Sequence, residues 1–247
     1  MQYIDTDKSI FPIIKIDQTF SFAELLGTGF IVGPKPIMVT AKHIFKNNQL
    51  KQTEKYAIIS KGKNKNILIH RIDKIGASTK YDVAYFEVDY LVKEVDLVKL
   101  DLCPDFDSSN HGIVTTEYSE SLLMPKRNAG LKINIIRNTR KGNAVRFYTS
   151  EFPEKNPVYC FDTSYPALQG ASGAPVILEK NLSVVGMLVT NIERHLIPAQ
   201  TIKIKEGKKY TEETKYFLPI GKAIHSRVII DVLQKARYEI SISKFYE

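Results

Sequence analysis

Three short segments carry side chains that together can do covalent chemistry. The most informative is Gly170-Ala-Ser-Gly-Ala-Pro-Val. A serine hydroxyl is a weak nucleophile until a base takes its proton, and acyl transfer also needs donors for the oxyanion that develops. With no Cβ at Gly170 the backbone can turn sharply ahead of Ser172, so the Gly170 and Ser172 N–H groups can converge on one point. The second segment, Ile37-Met-Val-Thr-Ala-Lys-His, is an apolar run that ends in His43, a candidate base. The third places Asp82 at the head of another apolar run, Val83–Val88. Burying that carboxylate unpaired is costly, and an imidazole N–H is a good partner. Taken singly, each segment has an ordinary reading: a Gly/Ser-rich turn, a structural histidine after a strand, a turn-forming aspartate. His70, His111, His195 and His225 have no comparable setting and are expected at the surface.

The elements that must hold these residues are short. Apolar runs rich in Ile, Val, Phe and Tyr recur between turns: Ile10–Ile16, Phe20–Leu26, Gly29–Val32, Ile37–Thr40, Tyr56–Ser60, Ile67–Ile72 and Val83–Val88. After a polar stretch over Cys103–Asn110 they resume at Gly112–Thr116, Leu131–Ile136, Ala144–Thr149, Val158–Phe161, Pro175–Leu178, Val184–Val189 and Tyr216–Pro219. Long helical patterns do not alternate with these runs, so the reading is all-β in two halves, residues 1–105 and 106–247. Gly27-Thr-Gly-Phe-Ile-Val should pair with Ile37–Thr40 through a turn at Pro34-Lys-Pro36, holding His43 at the rim of that hairpin. One helix is predicted near the end, Ile220–Arg237, with Ala223, Ile224, Val228, Ile229, Val232, Leu233 and Ala236 on one face.

The order His43, Asp82, Ser172, in the contexts Thr40-Ala-Lys-His, Asp82-Val-Ala and Gly170-Ala-Ser-Gly-Ala-Pro, resembles the trypsin/chymotrypsin-like serine peptidases. The disulfide-poor bacterial branch, which includes the high-temperature-requirement proteases, is the more similar. The resemblance runs from about Thr19 to about Lys235. It implies two six-stranded antiparallel β-barrels with a C-terminal helix and a catalytic cleft between the barrels. His43 and Asp82 would come from the first barrel and Ser172 from the second. Ser172 would be the nucleophile, His43 the general base and then acid, and Asp82 the group that orients the imidazole. The Gly170 and Ser172 amides would form the oxyanion hole. Val185-Gly-Met-Leu-Val-Thr-Asn stands where the family has its substrate-flanking strand, and Val189 where many members carry a serine that steadies the aspartate. Asp82 is therefore expected to rely on backbone donors.

Two departures shape the expected specificity. Digestive members have an aspartate before the serine that pairs with a freed N-terminus, and here Ala171 stands there. Any regulation should then come from a loop ordering step or a regulatory protein. Where basic specificity needs an acid stands Pro166, beside the uncharged Ala167, Leu168 and Gln169. Val189, Thr190 and Asn191 would form the opposite wall, so a small or apolar P1 residue is expected, with Asp162 and Glu193 the nearby charges. Protein or peptide substrates are implied. The lack of a cofactor motif or a His/Cys/Asp/Glu cluster at ligand spacing points to neither cofactor nor metal. The competing readings are a silent pseudoprotease scaffold, an α/β-hydrolase using His225, and a basic binding module. The second lacks a Gly-x-Ser-x-Gly elbow, because position 174 is alanine.

Composition narrows the rest. The chain has 247 residues, 43% hydrophobic and 25% charged, enough for a real core and against wholesale disorder. With 35 Lys+Arg against 27 Asp+Glu the formal charge is +8, but the lysines are scattered, without interleaved aromatics or a nucleic-acid module. No specific nucleic-acid partner is expected, and no apolar run is long enough to span a bilayer. Cys103 and Cys160 are expected as buried free thiols. The Met1-Gln-Tyr-Ile-Asp start lacks a secretory pattern, so a cytoplasmic location is expected, while the family resemblance implies a bacterial peptidase of the kind that accompanies stress or antiviral defence. The chain ends soon after the predicted helix, which is read as leaving no room for a peptide-binding module.

Overall fold

The computed structural model describes residues 6–19, 21–62, 64, 66–109, 111–119, 121–125, 131–150, 156–195, 199–205, 208–214 and 217–245. The first lobe contains β1 (Ile10–Asp17), β2 (Ala23–Val32), β3 (Ile37–Thr40), β4 (Glu54–Lys61), β5 (Ile67–Arg71), β6 (Gly76–Ala77) and β7 (Ala84–Glu87). They form one seven-stranded sheet in the order β5-β4-β1-β2-β3-β7-β6. β1 reads as an almost unbroken apolar run because it is paired on both sides, with β2 and β4, and buried along most of its length. A one-turn helix, α1 (His43–Lys46), follows β3 directly.

The second lobe is a closed six-stranded barrel with two appended hairpins. Its strands are β8 (Gly112–Glu117), β9 (Leu122–Pro125), β10 (Leu131–Asn134), β11 (Asn138–Ser150), β12 (Val158–Thr163), β13 (Pro175–Leu178), β14 (Val184–His195), β15 (Ala199–Lys205), β16 (Lys208–Thr214) and β17 (Phe217–His225). The barrel order is β11-β12-β17-β14-β13-β8, and β9-β10 and β15-β16 form the hairpins. The all-β architecture is thus as expected, with closure seen in the second lobe and an additional short strand in the first.

The last helix is shorter than its sequence pattern. Only α2 (Ser226–Lys235) is helical, and the segment Ile220–His225, expected as its first turns, is strand instead. Gly221–Ile224 is hydrogen-bonded on both sides, to β12 and to β14, and ladder pairing overrides the helical spacing of Ala223 and Ile224. α2 buries Val228, Ile229, Val232 and Leu233 in a core cluster that also contains Phe30, Val39 and Leu91 of the first lobe. The linker Cys103–Asn110, polar in composition, buries Phe106 against the rings of Phe147, Phe161 and Phe245.

Candidate active site

Strand pairing brings His43 and Asp82 together. β3 and β7 are antiparallel neighbours with Thr40 opposite Ala84, so the chain leaving β3 and the chain entering β7 lie beyond the same end of the pair. There both Asp82 carboxylate oxygens face His43: Oδ1 accepts the His43 backbone N–H at 2.8 Å, and Oδ2 lies 2.6 Å from Nδ1. The backbone donor expected for Asp82 is therefore that of His43 itself. An ionised carboxylate only accepts, so Nδ1 is the donor in this pair, and in the neutral imidazole Nε2 then carries the lone pair. Asp82 is buried while His43 is about a third exposed, so the pair is fixed from behind and open to the cleft. Among the described residues Nε2 has no hydrogen-bond partner.

Ser172 arrives from the other lobe on a turn that docks onto β2. The Thr28 N–H donates to Ser172 O at 2.9 Å, the Thr28 hydroxyl to Gly170 O at 2.9 Å, and the Thr40 hydroxyl to Thr28 O at 2.7 Å. These buried threonines tie the serine turn to the strand that delivers His43. Gly170 and Gly173 have φ of +93° and +88°, conformations that a side chain would strain. The amides of Gly170 and Ser172 donate to no protein group among the described residues, as an oxyanion hole requires. The Ser172 hydroxyl points to Val189 O at 3.4 Å and makes no hydrogen bond to His43. Val189 sits in a bulge of β14, between Leu188 opposite Ala223 and Thr190 opposite Lys222, which turns its carbonyl toward the serine.

The two sides of the wall expected to bind P1 are joined by hydrogen bonds. Asn191 spans to Ala167 through two 2.6 Å bonds, Nδ2 to Ala167 O and Ala167 N–H to Oδ1. Tyr165 is held onto β17 by the Gly221 N–H. Pro166 and Leu168 are half-buried and Gln169 is exposed. Asp162 is fully buried and engaged by Arg146 at 3.2 Å and the Tyr148 hydroxyl at 2.8 Å. The Glu193 side chain lies outside the described residues.

A cleft of about 410 Å³ opens from His43 and Asp82 between the lobes, lined also by Lys42, Lys46, Asn47, Val158, Cys160, Val189, Thr190, Lys222 and Ile224. Sequence reasoning missed most of this wall. Its one signal was Lys222, a charge inside the buried run Ile220–Ile224. Cys160 and Cys103 are free buried thiols, and burial pushes Cys160 up to about 11. His225, expected at the surface, is fully buried at the start of α2. Among the described residues no His/Cys/Asp/Glu group could hold a metal, and no helix is long and apolar enough to cross a membrane.

A closed antiparallel barrel beside a second sheet, with an imidazole–carboxylate pair and a serine turn at their junction, defines the class of chymotrypsin-like folds. The trypsin-like peptidase domain family model matches residues 27–187, and the chain belongs to that family, as a serine endopeptidase. Solved structures agree on the fold. The Rv3671c protease from M. tuberculosis in its active form is 12% identical, with a TM-score of 0.59 over 96% of this chain and 85% of that one. The HtrA-type protease AlgW with a decapeptide is 10% identical, with a TM-score of 0.62 over 93% of this chain and 64% of its own. Deg5 is 12% identical, with a TM-score of 0.59 over 92% of this chain and 87% of its own. A comparison with curated proteins finds no sequence match.

Proposed function

We propose that the protein cleaves peptide bonds through a His43–Asp82–Ser172 triad and an acyl-enzyme. The observation that carries this reading is the engagement of both Asp82 oxygens by His43, with Nε2 left open toward the cleft. On this reading the Ser172 hydroxyl leaves Val189 O for that nitrogen when substrate is bound. Oγ then attacks the scissile carbonyl as Nε2 takes its proton, and the Gly170 and Ser172 amides receive the oxyanion. Collapse expels the amine, protonated by the imidazolium. Water, deprotonated by the same imidazole, then hydrolyses the ester and restores Ser172.

Specificity is restricted on this reading. The uncharged wall of Pro166, Leu168, Val189 and Thr190, with Asn191 tied to Ala167, supports a small or apolar P1 side chain. Ala171, buried and uncharged, offers nothing to a freed N-terminus, so a regulatory protein or loop step is the proposed control. Two buried free thiols suit a reducing compartment, and we place the protein in the cytoplasm.

The test is a proteome-wide cleavage profile of wild type against Ser172→Ala, with fluorophosphonate labelling of both. Labelling at Ser172 and small or apolar P1 residues are expected. Ser172→Ala and His43→Ala should each lose several orders of magnitude in kcat/KM, and Asp82→Asn roughly 10⁴-fold. Undiminished cleavage by Ser172→Ala would sink the assignment.

A further inference from the structure

The turn that carries Ser172 is gripped twice by a single residue of the other lobe. Thr28 lies in β2, fully buried; its hydroxyl donates to Gly170 O at 2.9 Å and its N–H donates to Ser172 O at 2.9 Å. A peptide unit is planar, so fixing its oxygen fixes the direction of its N–H. The 170–171 unit is held at both ends, by Thr28 at the oxygen and by Leu168 O, which accepts the Ala171 N–H at 2.9 Å. The 172–173 unit is likewise held by Thr28 and by Leu188 O, which accepts the Gly173 N–H at 2.8 Å. Between these two clamped planes hangs the unit that bears the Ser172 N–H, and directly before the first of them comes the unit that bears the Gly170 N–H. A Cβ on Gly27 would lie 2.6 Å from Ser172 O, so β2 meets the turn at backbone distance.

Packing alone does not call for this hydroxyl, since valine has the same shape and brings no polar group that must be bonded when buried. Gly170 is the loose point of the turn: at φ +93° it has no Cβ to limit rotation of the peptide units on either side. From the two-point grip we infer that Thr28 is a positioning residue of the oxyanion hole, its hydroxyl aiming the Gly170 and Ser172 amides at the substrate carbonyl. The inference rests on the proposed peptidase reading. Thr28 acts only through the turn, and the Thr40 hydroxyl, donating to Thr28 O at 2.7 Å, sets it against the strand that delivers His43. Without the Thr28 hydroxyl the 170–171 plane is held at one end only, and its tilt misdirects both amides. The oxyanion exists only while the carbonyl is being attacked, so the loss falls on the rate of the chemical step and not on binding.

The test is the rate at which a fluorophosphonate labels Ser172, followed across probe concentration and pH in wild type, Thr28→Val, Thr28→Ala and Thr28→Ser. In labelling, the Oγ–P bond forms, the P–F bond breaks with loss of fluoride, the serine proton passes to His43, and the phosphoryl oxygen takes the place of the oxyanion. Thr28→Val should lower the maximal labelling rate about 10²-fold, the usual effect of a misplaced donor, with the half-saturating probe concentration unchanged. Thr28→Ser keeps the hydroxyl and should label at nearly the wild-type rate. Thr28→Ala, one oxygen short of Thr28→Ser, gives the same contrast should valine disturb the fold. The pH of half-maximal rate reports on the base and should be the same in every variant. Wild-type rates in Thr28→Val and Thr28→Ala, a Thr28→Ser as slow as Thr28→Ala, or a loss that travels with a shifted pH midpoint would each overturn the inference and leave the peptidase reading standing. No labelling of Ser172 in wild type would refute the peptidase reading and the inference with it.

Discussion

Gly173 sits where two lobes come within van der Waals distance of each other. A Cβ built there would lie 2.1 Å from Thr28 O and 2.2 Å from the Thr40 hydroxyl, on a backbone already at φ +88°. Neither obstacle is the free end of a flexible side chain: one is backbone, and the other is a buried hydroxyl bonded to that same carbonyl. Gly173→Ala should therefore push the serine turn off β2. We expect a loss of at least about 2 kcal/mol, read as a lower urea midpoint. Ser172 should also label more slowly with fluorophosphonate in whatever fraction remains folded. The Gly-Ala-Ser-Gly motif was readable from residue types because the constraint is local. The partners that enforce it, Thr28 and Thr40, were not, since nothing in their own neighbourhoods marks which hydroxyl will meet which turn.

The junction of β17 and α2 turns on one histidine. His225 Nδ1 accepts the Arg227 N–H at 3.1 Å, capping the helix, while Nε2 donates to Phe106 O at 2.5 Å. Both nitrogens are thus used in the neutral form, and burial holds the imidazole down to about 4, with Arg227 acting in the same direction. The unfolded chain binds this proton near pH 6.5, the folded one only near 4, so between those values unfolding takes up a proton. Stability should fall as pH drops from 6.5 towards 4, by up to about 3 kcal/mol from this group. Urea midpoints measured across that interval should show the slope in wild type and a shallower one in His225→Gln. The same junction explains where the sequence misled. The stripe from Ala223 to Ala236 keeps helical spacing straight through a strand, because a strand buried on both faces has no alternation to betray it. His225, lying outside the usual capping set, gave no stop signal. By contrast the β2–β3 hairpin, with its Pro34-Lys-Pro36 turn, was plain from the chain, and so was the apolar run that becomes β7. The fold that positions His43 and Asp82 was therefore readable. The cleft wall contributed by β12 and β17 was not, because it is assembled from strands distant in sequence.

The two lobes share one interior. The largest core cluster joins Ile10, Phe30 and Val39 to Val184, Met187, Ile224 and Ile229. The buried Tyr118 hydroxyl of the second lobe donates to Ile10 O of the first at 2.9 Å. Separating the lobes would expose that surface on both sides, so they should unfold as one unit. With 13 tyrosines and no tryptophan, near-UV circular dichroism reports tyrosine packing in both lobes, and its urea transition should coincide with that of the far-UV signal. Two separated transitions would mean that the shared core contributes little. Leu102, in the segment that joins the lobes, is bridged to Val184 on one side and to Ile242 near the end of the chain on the other. A connector gripped on both flanks makes a poor hinge. On the proposed peptidase reading, admission of a substrate would then come from rearrangements a few ångströms in extent, such as Ser172 swinging off Val189, rather than from jaws that open and shut.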